Sequence, residues 1–112
     1  MFTTLVAAAL CTPYSGADAG RELAFAAALV ADYGQTRTVA LHPDAHFERN
    51  PLLGKHPGLG TVNAYFATAL LAHAGAVYVM PSNWRPAAQW GSIAFEVAVI
   101  GRNAALGVKF TF

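Results

Sequence analysis

The chain has 112 residues, a net charge of +1, a hydrophobic fraction of 55% and a charged fraction of only 12%. Soluble domains carry about 25% charged residues, so this composition, with a mean hydropathy of +0.39, excludes an ordinary water-soluble globule and points to lipid as part of the solvent. The near-neutral balance, with no basic stripe, excludes a nucleic-acid footprint, and the single cysteine, Cys11, excludes an internal disulfide or a cysteine-ligated zinc.

Two readings stay open for residues 1–19. The apolar run Phe2 to Leu10, broken at Pro13 and Gly16, ends in Ala17-Asp18-Ala19, the small-x-small shape of a signal-peptidase site. The alternative is a short N-terminal helical segment that stays with the protein, because no Lys or Arg precedes the apolar run. Residues 20–112 read as one membrane helical domain.

A first spanning helix is expected over about 22–41, close to the ~20 residues a bilayer needs. Its first half is apolar. Its second half carries Asp32, Gln35 and Thr36 on one face, and His42-Pro43 ends it, since a residue before proline is pushed out of the α region. The loop that follows is punctuated by Pro51, Gly54, Pro57, Gly58 and Gly60. A second span is expected over 61–80, without a formal charge and with His73 among its few polar residues. Ala64, Thr68, Ala72 and Gly75 give it the small-xxx-small spacing of close helix contacts. Pro81-Ser82-Asn83 turns the chain into a third span over about 86–105, with Gln89, Glu96 and Asn103 along one stripe. Tyr65, Tyr78, Trp84 and Trp90 lie near segment ends, where aromatic rings favour the headgroup region. The alternating tail that ends in Phe112 admits an outer-membrane barrel strand, but the long continuous apolar runs disfavour it. The fold class is therefore an all-α, small integral membrane bundle with three spanning helices.

Basic residues set an orientation. Arg37, Arg49 and Lys55 flank or occupy the long loop, and Arg102 and Lys109 lie near the C-terminus, against Arg85 alone in the short turn. The positive-inside rule places the loop and the C-terminus in the cytoplasm.

An ionisable group inside a bilayer is costly, by at least ~2.5–3.5 kcal/mol, so each is a candidate for function. Asp32, His73 and Glu96 qualify, joined by Gln35, Thr36 and Asn103 as an intramembrane polar cluster. If they meet, they could form a proton relay, a metal site or an acid–base pair. The competing reading is structural: Asp32 pairs with Arg37, His73 bonds between helices, and Glu96 is held by Asn63, Gln35 or Tyr65. His42-Pro-Asp-Ala-His46, with Glu48 nearby, has the i, i+4 spacing of helical metal ligands, but its proline denies them one helical face. No metal, cofactor or catalytic motif is assigned.

The segments Ala31-Asp32-Tyr33-Gly34-Gln35-Thr36, Phe47-Glu48-Arg49-Asn50-Pro51-Leu52-Leu53-Gly54 and Val62-Asn63-Ala64-Tyr65-Phe66, with Glu96 and Asn103 later, resemble a group of small multi-pass membrane proteins of unknown function from proteobacterial and phage genomes. The resemblance covers about residues 30–107 and implies a membrane location without an activity. In the loop motif of Glu48, Asn50 and Pro51, the expectation is that Glu48 and Asn50 bond the polar end of the first helix at Gln35 and Thr36, while Leu52-Leu53 seals the bundle.

Together these features predict a multi-pass protein of the bacterial inner membrane with a polar-lined core, acting as a structural or interaction component. Its partners would be the bilayer and a second copy or another membrane protein. The alternatives are a phage-type lysis or pore-forming protein, and a membrane-embedded enzyme or ion carrier using Asp32, His73 and Glu96.

Overall fold

The computed structural model describes residues 13–112. Three α-helices and no strand occur among the described residues: α1 is Gly16–Leu41, α2 is Leu59–Val79 and α3 is Arg85–Ala105. The all-α expectation holds and the barrel-strand reading of the tail does not. The bundle is elongated, with extents of 50 × 22 × 20 Å.

Helix α1 has 26 residues and starts well before the expected position 22. The reason is a capping box: the Ser15 hydroxyl accepts from the Asp18 N–H, and the Asp18 carboxylate accepts from the Ser15 N–H. The Ala17-Asp18-Ala19 tripeptide thus forms the first turn of α1, and the apolar run 1–12 lies outside the described residues. Helix α2 runs from the Gly58 cap to Met80, just before Pro81, and α3 begins with Pro86 in its first turn, where a missing N–H costs nothing. At the far end of α3, Gly107 adopts φ 81°, and the Gly107 and Val108 N–H groups donate to the Ala104 and Asn103 carbonyls. This is a Schellman ending, which requires the left-handed residue that glycine supplies.

The Schellman turn sends the tail back across α1. Val108 is buried, the Thr111 N–H donates to the Gly34 carbonyl at 3.0 Å, and the Thr38 hydroxyl sits 2.6 Å from both the Lys109 carbonyl and Thr111 Oγ1. Gly34 is what lets the tail approach: a Cβ there would lie 2.5 Å from the Phe112 ring.

Helix α1 is the hub, packing on both α2 and α3, while α2 and α3 touch each other little. The apolar core is small and consists of Phe25, Leu29, Leu53, Val62 and Phe66. Leu53 drops into it and closes the loop end, whereas Leu52 stays exposed. Of the described helices, α2 is the one long and apolar enough to cross a membrane. Only Val62, Phe66 and Val77 of α2 are buried.

Candidate functional site

The interior is organised as polar layers along α1. In the first layer, at the amino end of α1, Arg85 is 1% exposed and Gln89 is 0% exposed. Arg85 Nε and Nη2 donate to the Val77 and Tyr78 carbonyls, both at 3.0 Å, satisfying the open end of α2. Its Nη1 reaches the Pro13 carbonyl and Asp18 Oδ2, both at 3.2 Å. Arg21 bridges Asp18 and Gln89, its Nε donating to Gln89 Oε1 at 2.7 Å, and Gln89 Nε2 donates to the Asp18 carbonyl at 2.9 Å. The Ser15 backbone N–H, helped by the Arg85 guanidinium, holds the Asp18 carboxyl below the usual carboxylate range against the effect of burial.

One turn inward lies a second layer that sequence reasoning reached only at His73. His73 Nδ1 stands 2.7 and 2.8 Å from the two carboxylate oxygens of Glu22, and Nε2 stands 2.9 Å from Ser92 Oγ. Phe25 stacks flat on the imidazole, with centroids 3.7 Å apart and planes 18° apart. Ser92 Oγ is also 2.8 Å from the Ala88 carbonyl. The three residues come from three different helices. No spacing along the chain links them.

The third layer holds most of the expected cluster. The carboxyl groups of Asp32 and Glu96 meet across α1 and α3, and Thr36 Oγ1 donates to Asp32 Oδ1 at 3.4 Å. Glu96 is 8% exposed, and its Oε2 has no hydrogen-bond partner among the described residues. Both carboxyls line a cavity of about 340 Å³ whose walls include Thr36, Glu48, Asn50, Pro51 and Arg102. The loop motif and the Asp32 and Glu96 carboxyls therefore share one space.

The expected partners differ in detail. Asp32 does not pair with Arg37, whose Nη1 donates to the Tyr33 hydroxyl, itself a donor to Asn63 Oδ1 at 2.6 Å. Gln35 is fully buried, donating to the Ile100 carbonyl at 3.1 Å and accepting from Asn103 Nδ2 at 3.2 Å. Asn50 does not reach Gln35: its Nδ2 donates to the Tyr65 hydroxyl at 2.9 Å, and its Oδ1 accepts from the Leu52 N–H. Glu48 Oε1 accepts from the backbone N–H groups of Arg49 and Asn50 and shapes the loop rather than capping α1. His42 Nδ1 lies 2.9 Å from the Thr38 carbonyl, so His42 serves the end of α1.

Two signals for the missed residues were present. Ser15-x-x-Asp18 is a capping pattern, and Arg85 sits one residue before Pro86 at a helix start. Glu22 and Ser92 carried none. Compared with family models, curated proteins and solved structures, the chain matches none.

Proposed function

We propose that the chain is a multi-pass bacterial inner-membrane protein, a three-helix bundle whose polar core fixes how the helices pack, acting as a structural or interaction component. One observation carries this reading: the polarity is inverted. Asp18, Gln35, Thr36, Thr38, Arg85, Gln89 and Glu96 are buried, while Leu23, Val30, Leu71, Phe95 and Val97 are exposed. Water would penalise both halves of that arrangement, and hydrocarbon favours both. The charges in α1 and α3 that lower their mean hydropathy are largely turned inward and partnered, so these helices can face lipid with their remaining surface. The 50 Å long axis suits a bilayer whose apolar core is ~30 Å thick. Trp84, Trp90 and Tyr78 are exposed at one end, as an aromatic belt would require. Arg49, Lys55, Arg102 and Lys109 are exposed at the other, which favours a cytoplasmic loop and C-terminus.

A second reading, an ion or proton carrier, is favoured by the Asp32–Glu96 pair at the wall of its cavity. Such a pair exchanges one proton or cation with the space beside it.

The membrane reading is tested with single cysteines in a Cys11→Ser background. The protein should resist alkaline carbonate extraction, and Lys55→Cys and Asn83→Cys should react with an impermeant maleimide from opposite faces. Release by carbonate, or labelling of both positions from the same face, would overturn it.

A further inference from the structure

Glu22, His73 and Ser92 make a chain of contacts with a defined chemical direction. A neutral imidazole whose Nδ1 faces a carboxylate carries its proton on that nitrogen, because the carboxylate can only accept. Its Nε2 is then a bare lone pair, and that lone pair is 2.9 Å from Ser92 Oγ. The serine hydroxyl has one proton and two acceptors in reach, Nε2 and the Ala88 carbonyl at 2.8 Å. Rotation of the hydroxyl therefore selects between a helix-bound resting state and a state aligned for transfer to His73. Phe25, flat on the imidazole, fixes the ring plane. An orienting carboxylate, a general base and a hydroxyl in hydrogen-bond sequence is the arrangement that activates a serine nucleophile, and it is recognised by geometry rather than by chain order.

The surroundings suit a reaction rather than a packing contact alone. Ser92 and His73 open onto a groove of about 520 Å³ between α2 and α3, the two helices that touch least. Its other walls include Phe25, Ala69, Gly91 and Phe95, so it receives an apolar chain. Glu96, one helical turn beyond Ser92, lines the same groove with an unpartnered Oε2.

We propose that this groove is a serine-nucleophile site that cleaves carboxylic esters of apolar acyl chains entering from the bilayer. In the first step, Ser92 Oγ attacks the ester carbonyl carbon as its proton passes to His73 Nε2. The bond from that carbon to the alkoxy oxygen breaks, and His73 returns the proton to the departing alcohol. In the second step a water molecule loses a proton to His73 and attacks the acyl-serine. The fatty acid leaves, and the proton returns to Ser92 Oγ. Glu22 is a positioning residue that holds His73 in the active tautomer.

The nucleophile assignment stands on the triad itself, and the membrane reading enters only through the choice of a lipid ester as substrate. The purified full-length protein in detergent is treated with a fluorophosphonate probe, and the adduct is mapped by peptide mass spectrometry. A stoichiometric adduct on Ser92 is expected. Ser92→Ala should abolish it, and His73→Gln should slow its formation on the order of 10²-fold, the usual worth of a general base. Glu22→Gln should slow labelling less and change its pH profile, which a purely structural role would not do. Hydrolysis of a p-nitrophenyl acyl ester should follow the same order. No adduct, or one on another residue, overturns the proposal with the wild-type chain alone, so poor folding of a variant cannot rescue it. Carbonate extraction is unaffected by that outcome, and the membrane reading stands or falls separately.

Discussion

The Asp18 carboxylate and the Arg85 guanidinium meet at 3.2 Å inside the bundle, joining the first turn of α1 to the first residue of α3, and neither side chain has more than a few per cent of its surface exposed. The same guanidinium holds the last carbonyls of α2, so one side chain ties three helix ends together. Removing Arg85 takes from Asp18 one of its two guanidinium partners and from the Val77 and Tyr78 carbonyls their donor, and breaking a buried pair costs about 3–5 kcal/mol. Arg85→Met is therefore expected to lower the unfolding free energy in detergent by about that amount. Asp18→Asn, which can still accept a hydrogen bond, should cost less. A loss below about 1 kcal/mol for Arg85→Met, read by chemical denaturation, would show that the network is not holding the helix ends.

The Asp18 carboxyl gives the protein a pH dependence. Its pKa is depressed in the folded state, so its contribution to stability is present above the unfolded value, about 3.9, and fades as pH falls through the folded one. The thermal midpoint in detergent should drop as pH is lowered from about 5 to about 3. In Asp18→Asn that part of the decline should be missing. Parallel curves for the two proteins would contradict the assignment.

Gly34 and Phe112 fix the tail. With a Cβ at Gly34 only 2.5 Å from the ring, Gly34→Ala should displace Phe112 and cost about 1–3 kcal/mol, as overpacking does. Combining it with Phe112→Ala should restore much of the loss. Faster trimming of the C-terminus by carboxypeptidase in Gly34→Ala alone would report the displaced tail. Equal trimming rates would not fit this packing.

Gln35 separates two couplings. It bonds Asn103 and not Asn50. Gln35→Ala and Asn50→Ala should add within about 0.5 kcal/mol, while Gln35→Ala and Asn103→Ala should fall short of additivity. A double-mutant cycle that gave the reverse would mean that the loop, not α3, holds the polar end of α1.

The sequence alone determined the all-α class and where the helices of the described residues stop. A continuous apolar run between Gly60 and Pro81 marks α2, and prolines and glycines mark where each helix must stop. It also singled out Asp32 and Glu96, because an acid within an apolar stretch is conspicuous wherever the chain goes. Tertiary structure decided the partners. The pairing of Asp18 with Arg85, a turn charge in the sequence, exists only once α1 and α3 lie side by side. Glu22, His73 and Ser92 are 51 and 19 residues apart in turn, and hydrogen bonds of about 3 Å depend on helix rotation and depth, which one-dimensional periodicity does not encode. The sequence chose which residues go inside, and the packing of three helices chose which of them touch.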